Sequence, residues 1–199
     1  MDRKLATLLA QATKAHETHP DLREFVGMAT DLTLGNYTCR SHPSEAAMLA
    51  ESWVGGGPLD SLRDACTDAA DLAQWRLTYE GSKIDPDFME RFGCYCMIGD
   101  GGFWNSRQMS GYVVYMPAGL HYPWHEHPAE EMYVILAGQA EFQLKGQPAH
   151  TARAGDAVFH PGGQPHATTT YDSPMMAYVT WRNHLDITPV WTDPNLRGE

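Results

Sequence analysis

Residues 119–138 read GLHYPWHEHPAEEMYVILAG, and this stretch decides the fold. It sets three histidines, three carboxylates and two tyrosines around the start of an apolar run, Met132 to Ala137. In an extended chain, side chains two residues apart share a face. His125 and His127 then point one way, and beyond a tight turn at Pro128 so do Glu131 and Tyr133. The opposite parity, Met132, Val134 and Leu136, is wholly apolar and suits a core between sheets. Two imidazoles and a carboxylate on one wall are a ligand set for a first-row transition metal, with positions left open for other ligands. The best fourth donor is His166. A Gly- and Pro-rich turn in AGDAVFHPGGQPHATTT (154–170) delivers it onto a following strand.

The texture on either side of this stretch differs. Before about residue 80, apolar residues recur at helical spacing, in segments 3–16, 20–32, 43–54 and 58–79. Pro20 and Pro58 sit where first-turn prolines belong, and GGG at 55–57 is a break. After residue 90 the chain becomes short alternating runs parted by Gly and Pro: GYVVYMP, EEMYVILA, AEFQLKG, DAVFH, HATTTY and MMAYVTW. Many short strands at close spacing predict a closed β-architecture. The expected organisation is a helical N-terminal region (1–90) packed on a β-barrel (91–190), with a C-terminal tail (191–199). The helices alone make too thin a core to be an independent domain.

Composition is that of an ordinary globular protein, with 43% hydrophobic and 20% charged residues in 199. The formal charge of −11 disfavours nucleic acid and anionic lipid surfaces and tolerates a cationic small molecule. No apolar run approaches a membrane span. LATLLA near the N-terminus reads as part of an amphipathic helix rather than an export signal, so a cytoplasmic location is expected. The four cysteines are expected as free thiols, with Cys94 and Cys96 as small core residues of a strand GCYCMIG.

Two spaced motifs carry a resemblance. Gly119, His125, His127, Glu131 and Gly138 stand at the spacing of the first cupin motif, and Gly155, Pro161, Gly163 and His166 at that of the second. Thr170 stands where that motif often has Asn. The resemblance runs from about Gly111 to Trp181. It implies a mainly β fold, the cupin double-stranded β-helix (jelly-roll) barrel, behind the α-helical N-terminal region. It also implies one divalent metal ion bound by His125, His127, Glu131 and His166, and it allows a homodimer, since cupins often pair. The ligand set suits Zn, Fe(II) or Mn, with Ni and Co also compatible.

The wider stretch HYPWHEHPAEEMYVILAG, with a helical region and GDGGFW ahead of it, resembles the cupin-type dimethylsulfoniopropionate (DMSP) lyases. That resemblance implies a carbon–sulfur lyase acting on a small-molecule substrate. DMSP would undergo β-elimination to dimethyl sulfide and acrylate, with Tyr133 as the base and Tyr122 and Trp181 in the substrate pocket. The chemistry suits the residues. A metal can take a carboxylate, a phenol beside a cation becomes more acidic, and aromatic faces such as Tyr122, Trp124, Tyr178 and Trp181 can hold a sulfonium. His121 reads as a turn residue and His160 as structural or supporting the ligands. Phe103 and Trp104 read as a cover on the site or an apolar plug. The rival readings are another metal cupin, above all an Fe(II) dioxygenase, and a non-catalytic binding cupin.

Overall fold

The computed structural model describes residues 2–198. Five α-helices are assigned: α1 (Arg3–Thr18), α2 (Pro20–Phe25), α3 (Pro43–Ala50), α4 (Asp60–Ala69) and α5 (Pro86–Arg91). The strands are β1 (Thr33–Leu34), β2 (Gly93–Ile98), β3 (Trp104–Asn105), β4 (Ser110–Met116), β5 (His121–Glu126) and β6 (Glu130–Leu144). They continue with β7 (His150–Arg153), β8 (Ala157–His160), β9 (His166–Thr169), β10 (Met175–Arg182) and β11 (Val190–Trp191). No helix among the described residues is long and apolar enough to cross a membrane.

The strands run in the order β1-β3-β2-β4-β10-β6-β9-β5-β11, with β7 and β8 also on β6. The long strand β6 ties the barrel together. Its first half pairs with β10 and β8, and its second half with β7 and β9. The two runs predicted as separate strands, 130–137 and 140–146, are therefore one strand that bends. Gly138 makes the bend: its φ is +71°, and a Cβ there would overlap the Pro174 carbonyl. Thr170, where the cupin pattern often has Asn, clasps the β4–β5 turn. Its Oγ1 donates to Pro117 O (2.6 Å) and accepts from Leu120 N (3.0 Å).

β6 separates two cores. Tyr133 and Ile135 face the barrel interior with Phe142, Val179 and Trp181. Met132, Val134 and Leu136 face outward, so the apolar parity predicted to lie between sheets lies instead between the sheet and the helices. α2 and α4 lay Leu22 and Leu62 toward this outer face, and α1 packs on α4, adding Leu5, Leu8, Ala12 and Ala15 to the same core. Each fully buried Leu contributes roughly 1.5–3 kcal/mol. The Asp2 carboxylate caps α1 by accepting from Lys4 N (2.7 Å). His16 on α1 donates from Nδ1 to Val26 O (2.9 Å) and accepts from the Tyr178 hydroxyl at Nε2 (3.1 Å), joining the helical layer to β10.

Several predicted boundaries shift, among them the helix expected over 43–54, which ends at Ala50. The helix expected over 20–32 ends at Phe25. The helix expected over 58–79 ends at Ala69, and a single 3₁₀ turn follows. Beyond that turn the chain is extended, because Trp75 is buried and bridges to Tyr95 while Arg76 N donates to Cys94 O (2.7 Å). The stretch expected as a tail opens on Trp191, which is buried and pairs with His125 across β11 and β5.

Candidate metal centre and cavity

His125 on β5 lies directly opposite His166 on β9 in an antiparallel pair. A register shift in β5 between Tyr122 and His125 lets both face the interior although they are three residues apart. His127 lies in the turn beyond β5, and Glu131 starts the inward parity of β6. All four are buried, at 1–3% exposure.

Each of the three imidazoles has its Nδ1 against a backbone carbonyl: His125 with Pro123 O (2.8 Å), His127 with Ala129 O (3.0 Å) and His166 with Gln164 O (2.8 Å). A carbonyl only accepts, so each Nδ1 donates and each neutral ring keeps its lone pair on Nε2. These lone pairs converge. The His127 and His166 Nε2 atoms lie 3.4 and 3.3 Å from Glu131 Oε2, and both lack a hydrogen-bond partner. Acceptors facing acceptors in a buried site repel unless a proton or a cation lies between them. The donor set, its orienting carbonyls and its orphaned nitrogens fit a divalent metal ion held by His125, His127, His166 and Glu131.

Glu131 is held from behind. Trp181 Nε1 donates to its Oε1 (2.7 Å) and His160 Nδ1 to its Oε2 (2.8 Å). Burial works to raise its pKa, but the surrounding imidazoles of His127, His160 and His166 together hold the carboxyl well below the usual range. His160 stacks on His166 at 4.1 Å, and burial, the largest cause, lowers it to about 4. It plays the supporting part predicted for it, and its Nε2 is a further unpartnered atom beside the set.

A cavity of about 260 Å³ opens onto Glu131. Tyr133, Tyr122 and Trp181 line it. Tyr133 is buried with its ring edge-on to Phe142 and to His160 (5.4 Å each). Burial and then the charge of Glu131 push its phenol well above its ordinary range. Tyr122 stacks on His125 (3.9 Å, 11° between rings) and hydrogen-bonds the Tyr79 hydroxyl. Trp181 also stacks on His127, at 4.3 Å.

Two predicted pocket aromatics are not part of the cavity lining. Tyr178 and Trp181 are three apart on β10, so the pleat sends them to opposite faces. Tyr178 points out to His16 and the helices. Trp124 is half-buried and outside the lining, and its carbonyl accepts from Thr192. Phe103 and Trp104 are buried in the helix-side core as an apolar plug. His121 is exposed and bonds Thr169 Oγ1.

The sequence left other contributors unflagged. Arg76 and Thr78 reach the cavity from the extended stretch that had read as helix. Tyr79, from the same stretch, stacks on Trp191 (4.0 Å) behind Tyr122. Leu185 to Pro189 form one side of the mouth, entered through Asn183 and His184 in left-handed conformation (φ 60° and 45°). Only the Asn of an otherwise bland RNHLDITP hinted at that turn. Cys94 is a buried strand residue, as expected, and also lines the cavity.

A family model described as dimethylsulfoniopropionate lyase matches residues 45–177. The chain is 48% identical over 193 residues to dimethylsulfoniopropionate lyase DddQ of Ruegeria pomeroyi, a span covering 97% of this chain and 96% of that protein. The crystal structure of DMSP lyase DddQ from Ruegeria pomeroyi DSS-3 superimposes with a TM-score of 0.95 over the whole of both chains. A structure described among the DMSP lyases RdDddP and RnDddQII superimposes with a TM-score of 0.89 at 31% identity, over 96% of this chain and 98% of that one.

Proposed function

The chain belongs to the dimethylsulfoniopropionate lyase family, and we propose that it cleaves DMSP to dimethyl sulfide and acrylate by metal-assisted β-elimination. The observation that carries this reading is the convergence of three buried imidazole lone pairs and Glu131 at the end of a small cavity also lined by Tyr133. His125, His127, Glu131 and His166 would hold a divalent ion, which would supply positive charge to attract a carboxylate, stabilise charge on the adjacent carbon and oppose the effects that raise the Tyr133 phenol.

The residues of the chain do the rest. Tyr133 takes the proton from the carbon next to the carboxylate. Electrons of that C–H bond form the new double bond, and the carbon–sulfur bond breaks. Dimethyl sulfide leaves neutral, so no acid is needed. Trp181 and Tyr122 present aromatic faces that stabilise the sulfonium through cation–π attraction. Apolar Phe92, Val114 and Val179 keep the cavity dry and strengthen these electrostatic effects.

Incubating metal-defined protein with DMSP in the absence of oxygen tests the reaction class. Dimethyl sulfide released anaerobically supports elimination, and turnover only in oxygen would replace it with an oxygenase. In the same assay Tyr133→Phe lowers kcat by about 10²–10⁴-fold while metal content stays at the wild-type level. A variant that keeps most of its activity would remove Tyr133 from its role as base.

A further inference from the structure

Among the described residues Arg76 is the one guanidinium on the cavity wall, and no described carboxylate lies within ion-pair distance of it. Its backbone is pinned by the bond from its N–H to Cys94 O, and its guanidinium carbon lies 5.3 Å from the centre of the Tyr112 ring. Asp100 lines the same mouth without pairing to it. The thiols of Cys94 and Cys96 adjoin it but are neutral, since burial pushes them up to about 11 and about 12. On its far side a polar recess holds Arg40, whose guanidinium is committed to Trp75 O at 2.8 and 2.6 Å.

A half-buried cation on the wall of a largely apolar cavity, with Asp100 acting on it from beyond ion-pair distance, keeps its donors available to an incoming anion. Its planar fork matches a carboxylate in a way that a point charge does not. We propose that Arg76 is a second anchor for the substrate carboxylate, fixing which end of a carboxylate-plus-cation substrate turns toward the metal ligands. This rests on the lyase reading. The same charge repels a sulfonium, so a substrate entering the wrong way round meets like charge at Arg76 and loses the aromatic faces of Tyr122 and Trp181.

Steady-state kinetics with DMSP, and inhibition by propionate, which has the carboxylate without the sulfonium, test the assignment in Arg76→Gln and Arg76→Lys. In the Gln variant KM and the propionate inhibition constant both rise about 10–100-fold, kcat changes much less, and Lys restores part of the loss. Unchanged KM and propionate inhibition in Arg76→Gln overturn the assignment. Should the Gln variant fail to fold, Arg76→Met keeps the aliphatic stem over Tyr112 and gives the same readout. If the wild type releases no dimethyl sulfide, the lyase reading falls by itself. Calorimetric titration with propionate then still decides: weaker binding to the variant supports the anchor, and equal binding overturns it.

Discussion

His125, His127 and His166 each commit Nδ1 to a carbonyl of a nearby residue, so the chain fixes the tautomer of all three imidazoles over a separation of only two residues. The spacing of His125 and His127 made that pair legible in the sequence, while His166 was legible only from its Gly- and Pro-rich turn and the cupin resemblance. Glu131 is different, because its two supports come from β8 and β10, far away in sequence. Trp181→Phe removes one of them while keeping an aromatic ring against His127. It is expected to weaken metal affinity about 10–100-fold, as read by competition with a chelator, with little change in fold. An unchanged affinity would mean that His160 alone positions the carboxylate. Tyr178 shows the limit of reading residues singly. It is as aromatic as Trp181 and sits on the same strand, yet its pleat position sends it to the helices.

At the scale of elements, β6 determines where everything else sits. One face carries Glu131 and Tyr133 into the barrel, and the other carries Met132, Val134 and Leu136 to the helices. The strand can serve both halves of the barrel only because it bends at Gly138. Gly138→Ala places a Cβ in the left-handed region and against the Pro174 carbonyl. The expected cost is at least about 2 kcal/mol, measured as a lower urea midpoint, together with a lower metal content if the bend also aims Glu131. A variant as stable as wild type would show that the bend has another cause. The segment after α4 is the counter-example to pattern reading. Its apolar spacing continued the helix, but Trp75 gained more by burial against Tyr95 in the sheet. Arg76 and Tyr79 followed it toward the cavity.

At the scale of the whole molecule, the helical layer and the barrel share a core, and His16 is a polar link buried within it. Burial lowers its pKa, against the opposing pull of the Val26 carbonyl. The unfolded chain takes up a proton near pH 6.5 while the folded chain resists it until lower pH. Stability is therefore fully present above about pH 6.5 and falls as the pH drops toward the folded value, by up to about 1.4 kcal/mol per pH unit from this one group. His16→Gln can keep both hydrogen bonds but cannot titrate. Urea denaturation at about pH 7.5 and about pH 5.5 should show a smaller loss in the variant than in the wild type. Equal losses would place the acid sensitivity elsewhere. By itself the sequence determined the barrel and the helical region, and it placed His125 with His127 and Glu131 with Tyr133 on shared faces, because alternation and short spacings are local and set which side chains point together. Only the tertiary structure decided that the helices cover the outer face of β6, that Trp181 and His160 hold Glu131, that Arg76 joins Tyr122 on the wall of one cavity, and that Tyr79 backs Tyr122. Those outcomes depend on which distant segments gain most by burying one another, and no local pattern records that.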